Sequence, residues 1–174
     1  MCGIVGYIGD KQAQQVLISG LKRLEYRGYD SAGIVTVDAN VKPTLLRTKG
    51  KVSELADKVE THRTADTVGI GHTRWATHGA PSKRNAHPHC VGDIYLVHNG
   101  IIENYQDIKA MLTKRDYIFK SDTDTEVLTA LIDYIYQTSD NLLEAVGGAL
   151  KMVVGAYGIA VFSVKNPDEI VVAR

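Results

Sequence analysis

Cysteine is scarce in this sequence: Cys2 and Cys90 are the only two in 174 residues. Two thiols cannot build a disulfide framework, so a small cross-linked secreted scaffold is excluded and a reducing cytoplasm is the default setting. Excess charge is lacking too. Twenty Lys and Arg balance twenty Asp and Glu, which removes the electrostatic footprint of a nucleic-acid or polyanion binder. No apolar stretch is long enough to span a bilayer, and the first residues carry neither the basic nor the apolar region of a signal peptide. Repeats and low-complexity linkers are missing. What remains is a globular composition, 44% hydrophobic and 23% charged, on a chain long enough for one domain with its own core. The sequence stops at "DEIVVAR", inside an expected strand, which suggests a fragment of a longer polypeptide.

Hydrophobic periodicity supplies the elements. "GIVGYIG" is an expected strand. From Lys11 to Leu24 the residues Val16, Leu17, Leu21 and Leu24 share one face at helical spacing. "GIVTVD" and "PTLLRT" are expected strands, "KVSELADKVE" a short helix, and "TVGIGHTR" a strand running into the polar loop "WATHGAPSKRNAHPH". "DIYLVHNG" is the next strand. Asn104 is the expected N-cap of a helix over Tyr105–Leu112. In "SDTDTEVLTALIDYIYQ", Thr123 and Glu126 form a capping box, followed by the stripe Val127, Leu128, Leu131, Ile132 and Ile135. A further helix over Asn141–Val153 and the strands "AYGIAVFSV" and "EIVVAR" close the chain. Strands come in runs with helices between and after them, a pattern of stacked sheets with helices outside.

Several residues carry chemistry. Cys2 has a plain interpretation, a small apolar residue in a first strand, and a sharper one. Removal of the start methionine would leave Cys2 with the free α-amino group, whose reference pKa of about 7.7–8.0 suits a proton acceptor near neutrality. A nucleophile paired with its own amine is an established arrangement. Such a site needs oxyanion donors, and Asn99 offers a side-chain amide while Gly100 offers a backbone N–H. Asn-Gly between apolar runs is equally a hairpin signal, although "IIENYQDIKAML" downstream has helical spacing. Arg74 can grip a carboxylate bidentately. Trp75, beside Ala76 and Gly79, can cover a pocket as a loop closes, with Thr77 and His78 adding hydrogen-bonding groups; a polar surface loop around one packed tryptophan is the simpler alternative. Asp124, in the first turn of its helix, either complements the helix dipole or binds an ammonium. Together Arg74 and Asp124 would read both charged ends of a free amino acid. His72, His78, His87 and His89 lack zinc-site spacing, and the glycine patterns match neither a P-loop nor a dinucleotide fingerprint.

In order, "MCGIVGYIG", "RLEYRGYDSAG", "GHTRWATHG", "NAHPH", "VHNGIIEN" and "SDTDTEV" resemble the N-terminal glutaminase domain of the isomerizing glutamine–fructose-6-phosphate aminotransferases, the glucosamine-6-phosphate synthases. "MCGI" alone is shared by other class II glutamine amidotransferases, amidophosphoribosyltransferases among them. The resemblance implies an α+β N-terminal nucleophile hydrolase, a four-layer αββα sandwich, with residues 1–174 forming one incomplete glutaminase domain. It implies that Cys2 attacks the side-chain amide of L-glutamine, giving glutamate through a γ-glutamyl thioester and releasing ammonia. Asn99 and Gly100 would form the oxyanion hole, Arg74 would bind the α-carboxylate and Asp124 the α-ammonium. Trp75, Thr77 and His78 would line the pocket, and Arg27 and His87 would support it. No cofactor and no metal are called for. The implied partner is a sugar-isomerase segment of the same polypeptide, dimeric at full length, which takes the ammonia to make glucosamine 6-phosphate. A glutaminase domain of an amidophosphoribosyltransferase and a non-catalytic glutamine-binding domain are the competing readings.

Overall fold

The structure, a computed structural model, describes residues 2–27, 30–38, 40–75 and 79–174. Two antiparallel four-stranded sheets are stacked face to face. The first is built from β1 (Gly3–Ile8), β2 (Ser31–Val37), β3 (Pro43–Lys49) and β4 (Val68–Arg74) in the order β1-β4-β2-β3. The second is built from β5 (His89–Val91), β6 (Ile94–Ile102), β7 (Gly155–Ser163) and β8 (Asn166–Ala173) in chain order. Helices α1 (Ala13–Leu24) and α2 (Val52–Thr61) cover the first sheet, and α3 (Tyr105–Thr113), α4 (Asp124–Ser139) and α5 (Leu142–Leu150) cover the second. This is the expected αββα sandwich.

The layers follow from strand alternation. On β2, Ala32 and Ile34 turn out to meet Leu17, Leu21, Val52 and Leu55 of α1 and α2. Val35 and Val37 turn inward and meet Val68, Ile70, Tyr95, Val97, Ala160 and Phe162 between the sheets. A third cluster joins Leu96, Ile159 and Val161 to Leu128, Leu131 and Val146 under α4 and α5. Leu128 and Leu131 are fully buried, each contributing on the order of 1.5–3 kcal/mol. The inward rows of β4 (Val68, Ile70, His72, Arg74) and β6 (Tyr95, Val97, Asn99) are apolar at one end and polar at the other. That change of character places the site at the polar end of the layer between the sheets.

Some details differ from expectation. The buried face of α1 is Ala13, Gln14, Leu17, Ile18 and Leu21, with Val16 and Leu24 only half-buried at its margin. Strand β5 was hidden in the loop, being three residues long. Asn99–Gly100 makes no hairpin; it lies inside β6, paired with Gly158 and Tyr157 of β7. Asn104 precedes α3 without capping it by its side chain. Its amide instead donates to Met152 O (2.9 Å) and accepts from Val154 N–H (2.9 Å). Thr123 caps α4 by accepting from Glu126 N–H (3.2 Å), but the Glu126 carboxylate takes the N–H groups of Lys120 and Ser121 rather than closing the box. Helix α5 ends at Leu150, short of Val153. Among the described residues no helix is long and apolar enough to cross a membrane.

Candidate functional site

Pairing of β1 with β4, Gly3 opposite Thr73, brings Cys2 beside the end of β4. Gly3 N–H donates to Thr73 Oγ1 (3.1 Å). Trp75 N–H donates to Cys2 Sγ (3.1 Å), and the thiol lies 3.6 Å from Trp75 O. Trp75 is 55% exposed, and its contacts with the thiol are made by its backbone. From the opposite sheet, Asn99 Nδ2 donates to Cys2 O (3.2 Å). Next to it, Gly100 has φ +129°, and a Cβ there would stand 2.0 Å from Ala156 O. Only glycine fits that backbone. Cys2 and Asn99 therefore meet at the seam between the sheets, with Gly100 the next residue along β6.

Arg74 ends β4 and is buried. Its Nη2 donates to Gly79 O (2.8 Å), and Nη1 lies 3.8 Å from Asp30 Oδ1. Asp124, buried at the first turn of α4, accepts Ile102 N–H through Oδ2 (2.9 Å). It thus joins the helix start to β6 three residues beyond Asn99. Sequence reasoning missed Asp30 as a charge beside Arg74, although it sits in the "YDSAG" block. Thr77 and His78 lie outside the described residues, as does the side chain of Arg27, whose backbone belongs to the single turn Glu25–Arg27.

His87 makes its contacts with Thr125, His72 and His89. It belongs to a buried histidine layer behind Asn99. His72 Nε2 is 2.7 Å from Asn99 Oδ1. The His72 and His87 rings are 4.2 Å apart, and those of His87 and His89 are 4.9 Å apart. Thr125 Oγ1 bridges His87 Nε2 (2.8 Å) and His98 Nδ1 (3.0 Å), while Thr123 Oγ1 meets His89 Nε2 (3.0 Å). The layer is closed by Arg47, which donates to Ala86 O (3.1 Å), and by Gly33, where a Cβ would stand 2.1 Å from His87 O. Burial drives His72 and His89 down to about 3 and His87 well below its ordinary value. Neighbouring positive groups push the same way; for His72 the Asn99 hydrogen bond partly opposes it.

These neutral rings make stability depend on pH. In the unfolded chain they bind protons near pH 6.5, whereas the folded state resists them, so the unfolded state is favoured as pH falls below about 6.5. Between pH 7.5 and 5.5 each ring is expected to withdraw about 1.4 kcal/mol, about 4 kcal/mol for the three. Urea unfolding at the two pH values checks this. Equal stabilities would contradict burial of neutral rings.

Comparison with known proteins places these features among relatives. A family described as the glutamine amidotransferase domain matches residues 40–174. The glutamine–fructose-6-phosphate aminotransferase (isomerizing) of Aliivibrio fischeri is 53% identical over all 174 residues, which span 28% of that protein. Among solved structures, the allosteric regulatory enzyme of purine biosynthesis aligns with 99% of this chain and 37% of its own at 29% identity and a TM-score of 0.82. The Bacillus subtilis glutamine phosphoribosylpyrophosphate amidotransferase, with ADP and GMP, aligns with 94% of this chain and 35% of its own at 29% identity and a TM-score of 0.78.

Proposed function

Because this chain belongs to the glutamine amidotransferase domain family, we propose that it hydrolyses the side-chain amide of L-glutamine with Cys2 as nucleophile. The observation that carries this reading is the hydrogen bond of the Asn99 amide to the Cys2 backbone carbonyl across the sheet seam, which sets an amide donor against the residue that bears the thiol. Cys2 Sγ attacks the amide carbon. The developing oxyanion is held by Asn99 Nδ2 and Gly100 N–H. The α-amine of Cys2, free once Met1 is removed, takes the thiol proton and delivers it to the departing ammonia. Water then cleaves the γ-glutamyl thioester to glutamate. Arg74 binds the substrate carboxylate and Asp124 its ammonium, with Trp75, Thr77 and His78 around the pocket and Arg27 and His87 in support.

Residues 1–174 would be the ammonia-producing part of a longer polypeptide, whose sugar-isomerase segment aminates fructose 6-phosphate to glucosamine 6-phosphate as a homodimer. The 53% identity to an aminotransferase of that kind, against 29% to the phosphoribosyl enzyme, favours this over the purine pathway. A reducing cytoplasm suits an unprotected thiol nucleophile.

Glutamate release from glutamine by the purified chain is the test, with one variant aimed at recognition. Asp124→Asn can still accept Ile102 N–H through its amide oxygen but carries no charge. Loss of a buried charge partner costs about 2 kcal/mol or more, so KM for glutamine is expected to rise at least about 30-fold with kcat largely kept. Arg74→Ala should act in the same direction, with a melt to account for its Gly79 and Asp30 contacts. Normal KM in both would remove these residues from the substrate site.

A further inference from the structure

His72 has no part in the reading above, yet it is fully buried and makes one short side-chain contact, Nε2 to Asn99 Oδ1 at 2.7 Å. We propose that His72 is a positioning residue that fixes the Asn99 amide with its NH2 toward Cys2, so that the oxyanion donor is set before glutamine arrives. The inference rests on the glutaminase reading of Asn99 and adds the device that aims it.

An asparagine amide is nearly symmetric in shape and has two orientations, with opposite chemistry at its two ends. Here both ends are specified. Oδ1 faces an imidazole nitrogen and Nδ2 faces the Cys2 carbonyl at 3.2 Å. With its pKa driven down to about 3 by burial, His72 is neutral at ordinary pH and carries one ring N–H. An amide oxygen only accepts, so that proton sits on Nε2. Turning Asn99 over would set oxygen against oxygen at Cys2, and at His72 it would force the ring proton onto Nδ1, a buried nitrogen with no hydrogen-bond partner among the described residues. Both ends then resist the turn.

The ring is itself held. It follows the inward row of β4 after Ile70 and packs against His87, whose Nε2 is tied to Thr125 at the first turn of α4. The chain of contacts runs from α4 through His87 and His72 to Asn99 and ends at Cys2. A preorganised donor costs no reorientation during reaction, whereas a donor free to turn spends part of its time presenting an oxygen to a developing anion.

The test compares His72→Leu with His72→Gln in the purified chain. Leucine removes the N–H. Glutamine keeps an N–H donor close to the position of Nε2. Glutamine hydrolysis gives kcat and KM, and NMR hydrogen exchange of the Asn99 side-chain amide, assigned with Asn99→Ala, reports its bonding without reference to turnover. In His72→Leu, kcat is expected to fall about 10- to 100-fold, below the full loss of a donor, with KM near wild type and faster Asn99 exchange. His72→Gln should recover most of both. Unchanged kcat and unchanged Asn99 exchange in a folded His72→Leu, or a folded His72→Gln no better than the leucine variant, would overturn the proposal. If wild type releases no glutamate, the glutaminase reading fails instead, and the exchange data alone decide whether His72 holds Asn99.

Discussion

Cys2→Ala is expected to release no detectable glutamate from glutamine while melting within a few degrees of wild type. The thiol accepts one backbone N–H, from Trp75, at the edge of the fold. Losing such a bond costs about 0.5–1.5 kcal/mol, which for a chain of this size shifts the melting temperature by only a few degrees. An electrophilic glutamine analogue should label Cys2 and spare Cys90, whose thiol is pushed up by burial and is thereby less often the reactive thiolate. A companion change separates the thiol from the amine. An alanine inserted between Met1 and Cys2 keeps the sulfur but moves the free amine one residue away. Provided mass spectrometry shows the extra residue retained, activity should vanish. Full activity in that variant would mean that the amine is not the base.

Asn99→Ala carries the next largest effect, a loss of roughly 10²–10³-fold in kcat for one missing oxyanion donor, with little change in KM. Geometry explains why kcat should bear the loss. Asn99 faces the Cys2 end of the seam, while the groups assigned to the ends of the substrate, Arg74 and Asp124, sit on other elements. Truncation also deprives the Cys2 carbonyl and His72 Nε2 of their partner, so a melt must accompany the kinetics. Unchanged kcat in the folded variant would strike out the oxyanion assignment.

Much of the fold could be read from the sequence because its signals are local. The stripe from Val127 to Ile132 on α4, the Thr123 cap and the alternation of "GIVTVD" each need only a few neighbouring residues. The αββα arrangement came from the resemblance as much as from the run of strands. What escaped depends on contacts between distant residues. Nothing near Cys2 says that β1 pairs with β4 rather than with β2, and nothing near His72 announces Asn99. Asp30 beside Arg74 is a meeting of two strand ends. Strand β5 is too short to show alternation. For the candidate site, the side-chain chemistry at the ends of elements was enough to propose Cys2, Asn99, Arg74 and Asp124. The histidine layer could not be proposed in that way, since its rings gain meaning only from the distant groups that receive them, Asn99 on β6 and the threonines at the start of α4.

The meeting of Cys2 and Asn99 across the seam also orders events in time. The two are 97 residues apart in the chain, and Gly3 must wait for Thr73, 70 residues later, before β1 has a place. At ribosomal speeds of about 5–20 residues per second, Cys2 precedes Asn99 by on the order of ten seconds. During that interval Cys2 stands without Asn99 across the seam and without Asp124 on α4. On the proposed reading, a growing chain carries the Cys2 thiol without catalytic power until the second sheet closes over it.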